Sequence, residues 1–470
     1  MAKKFYVTTP IYYPNDIPHL GHAYTTIACD VIARWHKQRG DEVFFLTGTD
    51  EHGKKIADTA EKNNLTPKQF IDKLIPIFKD YWKKLNIEYD RFVRTTDKDH
   101  EKVVQEILQK CYDNGDIYKG EYEGLYCIGC EAYYTEKDAS DGKCPIHGKK
   151  LEILKEESYF FKLSKYQNFL LDLYKKNPEF ISPENKRKEI INRVKEELRD
   201  FSISRTSFNW GVKLPFDKKH VAYVWFDALI NYLSGIGYLK NKKQFEKFWP
   251  ADVHVIGKDI IWFHTVYWPA MLKSAGIKTP KKIFAHGWWT VHNQKMGKSA
   301  GNSVKIDDLI SYAGVDSARY FLLRNAPFGD DGDFSEKALI DRHNNELADK
   351  LGNLISRVSG LIEKNGIEKT ENKLLEKLNE KEIEKLFEEY KFDKVLNEIF
   401  AFIDVCNEYV QSKKPWETGD KKVLYELKES ILKIGELLLP FIPETAEKIT
   451  SIFSLNKIKK PEPIFKKIQQ

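Results

Sequence analysis

The N-terminal part of the chain alternates two short apolar runs with one amphipathic helical pattern. Residues 4–9 are mostly β-branched or aromatic, which favours a strand, and a second apolar run follows at residues 43–46. Between them, residues 23–37 repeat apolar side chains at helical spacing, and Gly40 is a suitable helix stop. A strand, a helix and a strand in this order form a βαβ unit, so the pattern predicts a parallel sheet.

Two later apolar runs indicate that this sheet continues after a long interruption. Residues 253–256 and 283–285 are again apolar and are followed by glycines, whereas the stretch before them contains three of the six cysteines. We therefore expect a Rossmann-like α/β domain that is split by an insertion. The expected boundaries are residues 1–115 for the first half, 116–215 for the insertion and 216–345 for the second half.

The last part of the chain has only helical periodicity. After about residue 345, apolar side chains recur three and four positions apart, and the alternation typical of strands is absent. This pattern predicts an all-α bundle of four or five helices over residues 346–470. The positions that carry it are Leu347, Leu351, Leu354, Ile355, Val358, Leu361, Ile362, Val395, Leu396, Ile399, Phe402, Ile403, Cys406, Ile431, Ile434, Leu437, Leu438 and Phe441.

Composition narrows the class of protein without identifying it. Hydrophobic residues make up 41% of the 470 residues, which excludes an intrinsically disordered chain. Lysine plus arginine number 76 and aspartate plus glutamate 70, a balance that does not by itself indicate a nucleic-acid binder. The N-terminus lacks the apolar segment of a signal peptide, and the apolar run at residues 434–442 is too short to span a membrane. We expect a soluble, cytoplasmic protein with no membrane partner.

The first motif with chemical content lies between the first predicted strand and the first predicted helix. His19 and His22 are three positions apart, so they can face one site, and Gly21 permits a close backbone approach to a ligand. A helix N-terminus favours phosphate, and two imidazoles can donate hydrogen bonds to its oxygens. As an isolated pattern, two histidines in a loop are more often without a catalytic role.

The second motif is a cationic loop at residues 295–302. Lys295 and Lys298 are three apart and stand beside glycines and a serine, so the loop can close on a polyphosphate. In a chain this rich in lysine, a solvated turn is the more common interpretation of such a segment taken alone.

Together the two motifs resemble the paired signatures of class I aminoacyl-tRNA synthetases, which bind ATP and stabilise the transition state of adenylate formation. Residues 45–53, 223–228 and 256–260 resemble segments of bacterial methionyl-tRNA synthetases in particular. The second signature departs from the family pattern at Gly297, where the family usually has serine. Both lysines are kept, so we expect activity to survive this difference.

A third motif has the spacing of a structural zinc site. Cys127 and Cys130 form a C-x₂-C pair, and Cys144 and His147 form a C-x₂-H pair shortly afterwards. In a chain expected to be cytosolic, clustered cysteines indicate a metal rather than a disulfide. Four protein ligands leave no open position, so we expect a single structural Zn²⁺. The resemblance agrees, because many members of the family carry a zinc knuckle in this insertion.

The resemblance also implies which residues contact the substrates. It implies that ATP, bound with Mg²⁺, is held by His19, Gly21, His22, Gly257, Asp259, Lys295 and Lys298, of which the two histidines and two lysines are catalytic. It implies that methionine is held by Ile11, Tyr13, Asp50, Trp225, Ala228, Leu229, Tyr232, Ile260 and His264. Asp50 would pair with the α-ammonium group. Tyr232 and His264 can each hydrogen-bond the sulfur or one another, and the sequence does not distinguish these arrangements.

The helical C-terminal part is expected, by resemblance, to read the tRNA anticodon. Asn407 and Trp416 stand nearest to the family pattern of an asparagine-bearing helix followed by a Pro-Trp pair. An exposed tryptophan can stack on an unpaired base, and the equally common alternative is a tryptophan that anchors a helix corner.

The predicted function is that of a methionine–tRNA ligase, which forms methionyl-adenylate and transfers the acyl group to the terminal adenosine of initiator and elongator tRNA. A monomer is expected, because the chain ends soon after the predicted bundle. An isoleucyl, valyl or leucyl enzyme would need room for a large editing insertion, and a cysteinyl enzyme would carry its metal at the substrate site. A tRNA-binding relative whose catalytic loop has lapsed is the alternative from a different functional class.

Overall fold

The computed structural model describes residues 3–128, 132–134, 139, 141–145, 148–296 and 303–469. The chain forms two compact units. The first unit contains Met1–Ile17, Gly40–Asp80 and Glu88–Ala285, and the second contains Pro18–Arg39, Tyr81–Ile87 and His286–Gln470.

Fifteen strands occur in these described ranges. In chain order they are β1 (Lys4–Thr8), β2 (Glu42–Thr49), β3 (Arg91–Arg94), β4 (Ile117–Cys127), β5 (Ala132–Tyr134), β6 (Glu152–Phe161), β7 (Ile181–Ser182), β8 (Phe201–Ser202), β9 (Ser204–Arg205), β10 (Val221–Ala222), β11 (Val253–Gly257), β12 (Ile283–His286), β13 (Trp289–Val291), β14 (Gln294–Lys295) and β15 (Gly332–Phe334).

The α-helices outnumber the strands. They are α1 (Leu20–Gln38), α2 (Lys54–Lys62), α3 (Pro67–Lys84), α4 (Lys98–Asp113), α5 (Gln167–Lys176), α6 (Glu184–Lys195), α7 (Val224–Leu229), α8 (Asn231–Ser234), α9 (Lys242–Phe248), α10 (Trp268–Ser274), α11 (Ile306–Ala313), α12 (Val315–Arg324), α13 (Glu336–Arg342), α14 (Asn353–Asn365), α15 (Glu380–Glu388), α16 (Phe392–Lys413), α17 (Pro415–Thr418), α18 (Lys421–Leu438) and α19 (Pro443–Phe453). Two π-helical segments, Phe263–Tyr267 and His343–Gly352, lead directly into α10 and α14.

The first unit is built on the predicted parallel sheet. Its six strands have the order β3-β2-β1-β11-β12-β7, and β1 runs parallel to both β2 and β11. The four strands expected from the apolar runs are therefore confirmed as β1, β2, β11 and β12. The sheet is apolar on both faces, as parallel sheets between helices are, and its inner strands are almost entirely buried.

The region expected to be an insertion contributes to three sheets, one of which is the two-stranded antiparallel sheet of β9 and β10. Strands β4, β5, β6 and β8 form an antiparallel sheet of their own in the order β5-β4-β6-β8. Strand β7 lies in the same stretch of sequence but pairs in parallel with β12 at the edge of the six-stranded sheet. A two-residue strand is too short to produce a recognisable alternation, which is why the sequence pattern does not reveal it.

The second unit contains the predicted helical bundle. Every position that carries its apolar pattern is buried except Leu361, which is half-buried. The long helices of the bundle are α14, α15, α16, α18 and α19, and the prediction of four or five helices is confirmed. None of the helices in the described part of the chain combines the length and the apolar character that a membrane crossing requires.

A buried ion pair connects four segments of the second unit. The Arg319 guanidinium on α12 donates to Asp30 Oδ2 on α1 at 2.6 Å, and neither side chain is exposed. It also donates to the carbonyls of Leu85, Pro440 and Phe441 at 2.9 Å each. All of these acceptors are satisfied by one planar side chain, which no other residue type can reproduce.

We expect Arg319→Met to destabilise the second unit, because the buried Asp30 carboxylate then keeps Arg34 as a charged partner but loses Arg319, and three carbonyls lose their donor. Removing one partner of a buried ion pair lowers the free energy of unfolding by about 3–5 kcal/mol. The measurement is urea unfolding followed by far-ultraviolet circular dichroism. Arg39→Met is the matched control, because the Arg39–Glu384 pair is exposed on both sides and such pairs contribute about 1 kcal/mol or less. Equal effects of the two changes would contradict the prediction.

Candidate active site

Three predicted substrate-binding segments lie at one edge of the six-stranded sheet. Asp50 follows β2, Ile11 and Tyr13 follow β1, and Gly257 ends β11, and these three strands are neighbours. Because they are parallel, their carboxyl ends share an edge, which is where α/β sheets bind ligands. Backbone bonds hold the first two segments together, since Asp50 N–H donates to the Tyr12 carbonyl at 2.8 Å. Asp259 lies exposed just beyond β11.

The loop around Asp50 is fixed by buried polar contacts on its C-terminal side. The Glu51 carboxylate, which is not exposed, accepts from Arg94 Nε at 2.7 Å and from the Thr49 hydroxyl. The His52 carbonyl accepts from the Tyr13 hydroxyl at 2.9 Å. The loop therefore holds Asp50 and Tyr13 in a fixed relation, with the Asp50 side chain only 9% exposed.

Several aromatic side chains of the first unit pack against one another near His264. Trp225 stacks on Phe263 with ring centroids 3.8 Å apart and planes at 4°, and its edge faces His264. Tyr232 stacks on His254 at 3.9 Å. A flat aromatic surface beside a polar imidazole suits a flexible thioether side chain. Phe263 was not predicted from the sequence, because one aromatic residue among many carries no distinct signal.

The hydrogen bonds of His264 answer the question that the sequence left open. Its Nδ1 lies 3.0 Å from the Ile260 carbonyl, which only accepts, so Nδ1 carries the proton. Its Nε2 lies 2.7 Å from the Tyr232 hydroxyl and therefore accepts from it. Burial lowers the pKa of His264 to about 4, against smaller opposing effects of Ile260 and Asp259, so the ring is neutral near pH 7. Tyr232 and His264 thus bond to each other.

The other residues that are predicted to bind methionine differ in exposure. Ala228 and Leu229 are buried on α7, whereas Ile11, Tyr13, Trp225 and Ile260 are half-buried and pack against the apolar core of the unit. Leu229 therefore lies in the same apolar cluster against which the four half-buried side chains pack.

The two signature histidines form a reciprocal cap at the start of α1, in the second unit. His19 Nδ1 accepts from Gly21 N–H at 3.1 Å, and His22 Nδ1 accepts from His19 N–H at 3.2 Å. Their rings stack with centroids 4.0 Å apart. Since each neutral ring accepts through Nδ1, its proton is on Nε2. Both Nε2 atoms are therefore hydrogen-bond donors beside a helix N-terminus, as phosphate binding requires.

Gly21 lies in tight contact with the His19 side chain. A Cβ atom at this position would lie 3.0 Å from His19 Cε1 and 3.2 Å from its Nδ1. A larger residue would therefore require the His19 imidazole to move by a few tenths of an ångström, which would disturb the cap.

The described residues on both sides of the lysine motif are well anchored in the second unit. On the N-terminal side, β13 and β14 form a hairpin whose two turn residues, His292 and Asn293, have positive φ. On the C-terminal side, the Leu20 N–H donates to the Val304 carbonyl at 3.1 Å, and His19 forms a bridge with Lys305. The segment that follows the motif therefore lies against the histidine signature. Lys298 lies outside the described residues, and only the backbone of Lys295 is described.

Two of the four predicted zinc ligands are described, and they fit a metal site. Cys127 and Cys144 are 4% and 1% exposed and belong to one small cluster. The Gly148 N–H donates to the Cys144 carbonyl at 2.8 Å, which closes the tight turn expected after a ligand. Buried thiols at such turns are typical of structural zinc sites. Cys130 and His147 lie outside the described residues.

A second group of possible metal ligands already has a cation. In the described part of the chain, ligand atoms of Glu157, Asp217 and His220 lie within 4.8 Å of one another. The Lys119 ammonium lies 2.8 Å from Glu157 and 3.7 Å from Asp217, so it neutralises this group. These residues therefore do not need a metal ion to be stable.

The two predicted anticodon residues have different surroundings. Trp416 is 39% exposed, so part of its side chain is accessible. Asn407 is half-buried, and its amide nitrogen donates to the carbonyls of Ile403 and Lys350.

Two family models together match most of the chain. The family model described as "tRNA synthetases class I (M)" matches residues 5–151 and 136–359, and the one described as "Anticodon-binding domain of tRNA ligase" matches residues 371–468.

Individual relatives point to the same family. The methionine–tRNA ligase of Caldanaerobacter subterraneus is 47% identical, over 96% of this chain and 74% of that protein. The methionine–tRNA ligase of Rickettsia conorii is 46% identical, over 97% of this chain and 94% of that protein. The crystal structure of Mycobacterium tuberculosis methionyl-tRNA synthetase bound by methionyl-adenylate has a TM-score of 0.94 at 38% identity and covers 99% of this chain and 100% of that one. This chain therefore belongs to the methionine–tRNA ligases, a family of class I aminoacyl-tRNA synthetases.

Proposed function

We propose that the chain activates methionine and charges tRNA with it through the residues described above. In the first step a methionine carboxylate oxygen attacks the α-phosphorus of ATP, and pyrophosphate leaves. In the second, a hydroxyl of the terminal adenosine attacks the acyl carbon, loses its proton, and AMP leaves. The observation that supports this proposal is the position of Asp50 and Tyr13 at the carboxyl ends of two neighbouring parallel strands, in a chain of this family.

The proposed methionine contacts divide by chemistry. Asp50 pairs with the α-ammonium group, because it is a mostly buried carboxylate at the strand edge. Trp225 and the neutral Tyr232–His264 pair receive the thioether side chain, and Ile11, Tyr13, Ala228, Leu229 and Ile260 complete the apolar walls. A neutral imidazole is important here, since a cation in this pocket would be costly to desolvate.

The proposed ATP contacts combine neutral donors and cations. The Nε2–H groups of His19 and His22 donate to phosphate oxygens, while Lys295 and Lys298 neutralise the charge that builds on them. Gly257 and Asp259 hold the ribose at the end of β11, because a strand end leaves backbone and carboxylate groups accessible there. Bound Mg²⁺ would supply further neutralisation of the triphosphate.

We further propose that the insertion holds one structural Zn²⁺ through Cys127, Cys130, Cys144 and His147, and that Trp416 stacks on an anticodon base with Asn407 nearby. The burial of Cys127 and Cys144 supports the first proposal, and the exposure of Trp416 supports the second.

Four further expectations stay predictions. They are the division into domains, the monomeric state, the use of both initiator and elongator tRNA, and the cytoplasmic location.

Exchange of labelled pyrophosphate into ATP tests the function directly. With each of the twenty amino acids supplied alone, we expect exchange with methionine only. Exchange with leucine, isoleucine, valine or cysteine at a similar rate would indicate a different specificity within class I. Retained tRNA binding with no exchange for any amino acid would indicate a relative without catalytic activity.

Tyr232→Phe tests the pocket. The change removes the hydroxyl that donates to His264 Nε2, so the His264 ring loses the contact that orients it in the proposed pocket, and the loss of one such hydrogen bond corresponds to about 1–2 kcal/mol, or roughly 5–30-fold in methionine binding. We expect the KM for methionine in the exchange reaction to rise by this factor. Tyr166→Phe is the control, because its buried hydroxyl donates to Asp116 instead. A methionine KM that rises equally in both variants would contradict the assignment.

Metal analysis tests the zinc site. We expect the purified protein to hold about one zinc ion per chain after dialysis, and Cys144→Ser to lose it, because serine is a poor zinc ligand. Cys111→Ser is the matched control, since Cys111 is equally buried but lies on α4. Mass spectrometric metal analysis measures the content, and a wild-type protein without zinc would refute the proposal.

A further inference from the structure

A buried carboxylate in the first unit joins two of the elements that carry the proposed methionine site. Asp227 lies on α7 between Trp225 and Ala228, and its side chain is not exposed. Its Oδ2 lies 2.6 Å from His52 Nδ1, and its Oδ1 lies 2.7 Å from His100 Nε2. Each carboxylate oxygen thus accepts from a different histidine.

The His52 contact connects α7 to the loop around Asp50. His52 follows Asp50 by two residues, and its carbonyl accepts from the Tyr13 hydroxyl. Its ring is nearly buried, at 3% exposure, and meets the Trp210 ring edge-on. Through this residue, Asp227 fixes the spacing between the carboxylate proposed to bind the ammonium group and the helix that presents Trp225.

The His100 contact connects the same carboxylate to α4 and α8. An ionised carboxylate only accepts, so His100 Nε2 carries a proton. His100 Nδ1 lies 2.8 Å from the Ser234 hydroxyl on α8. Asp227 is therefore held by His100 as well as by His52. A movement of the Asp50 loop relative to α7 would break one of these two short hydrogen bonds.

The electrostatics favour an ionised Asp227 beside a charged His52. Burial alone would raise the pKa of Asp227, but the His52 charge and the hydrogen bonds from both histidines lower it to about 2. Burial lowers the pKa of His52, yet the charge and hydrogen bond of Asp227, together with Glu101 and Glu51, raise it overall. The pair is fully formed at a pH below the ordinary histidine pKa and weakens as the pH rises through the elevated pKa of His52.

We propose that Asp227 is a positioning residue for methionine recognition, which locks the Asp50–His52 loop to α7 so that the ammonium and side-chain parts of the pocket keep their spacing. This inference rests on the proposed function. Asp227 itself touches no substrate. We expect its replacement to weaken methionine binding rather than ATP binding. The loop that contains His52 also carries Asp50 and contacts Tyr13. Both of these residues are proposed to bind methionine, and neither is proposed to bind ATP.

Asp227→Asn tests the inference with little change in volume. The new amide group faces one of the two histidine donors, so one hydrogen bond is lost or requires a shift of that ring's proton. We expect the Kd for labelled methionine in equilibrium dialysis, and its KM in pyrophosphate exchange, to rise by about tenfold or more, while the KM for ATP changes by less than about twofold.

Asp116→Asn is the matched control. Asp116 is 1% exposed in the same unit and accepts from Lys165, Tyr166 and Ser274 at 2.6–2.8 Å, but none of these residues is in the proposed pocket. We expect it to leave the methionine Kd unchanged even where it lowers the temperature of unfolding. An equal rise in both variants would reduce Asp227 to a structural role and overturn the inference.

Two further outcomes separate the inference from the function on which it rests. A wild-type protein that neither binds methionine nor exchanges pyrophosphate would refute the function. A fully active wild-type protein with an unaffected Asp227→Asn variant would refute the inference alone. Should Asp227→Asn fail to fold, His52→Gln carries the test, because it keeps the backbone carbonyl that Tyr13 contacts and removes the charge. An unchanged methionine Kd in that variant would equally overturn the proposal.

Discussion

The shared carboxyl edge of three neighbouring parallel strands is the constraint on which the proposed site depends. Strands β2, β1 and β11 lie side by side, so the chain leaves each of them at the same edge of the sheet. Asp50, Tyr13 and Asp259 come from segments far apart in sequence, yet this constraint places their backbones at one edge. A helix-based scaffold would not impose it, because parallel pairing fixes both the direction and the register of each strand.

Buried charged side chains hold neighbouring segments of each unit in a fixed arrangement. In the first unit, Asp227 connects the Asp50 loop to α7 through two histidines. In the second, Arg319 connects α1 to α12 through Asp30 and caps three carbonyls. Buried ion pairs contribute little net stability compared with apolar residues of equal size, but removing one partner is severely destabilising. In this protein the buried ion pairs mainly determine how the elements that they join are arranged.

Much of the fold and part of the site could be predicted from the sequence. The main strands and the bundle positions followed from periodicity, because local repeats of apolar residues determine which face of an element is buried. The histidine signature was found by its residue types and its place before a helix, and the cap observed for His19 and His22 agrees with that place. Strand β7 and Phe263 were missed, because a two-residue strand has no period and one aromatic residue among many carries no distinct signal.

By itself the sequence determined the class of the main strands and of the bundle helices, the two signature motifs and the family to which they belong, because these depend on residue types at short spacing. Only the tertiary structure decided that Tyr232 bonds to His264, that the His19 and His22 rings present their Nε2 protons, and that Asp227 meets His52. His52 and Asp227 are 175 positions apart. No local pattern records a pairing over that distance, since it arises when packing excludes water and each buried polar atom must find a partner within the protein.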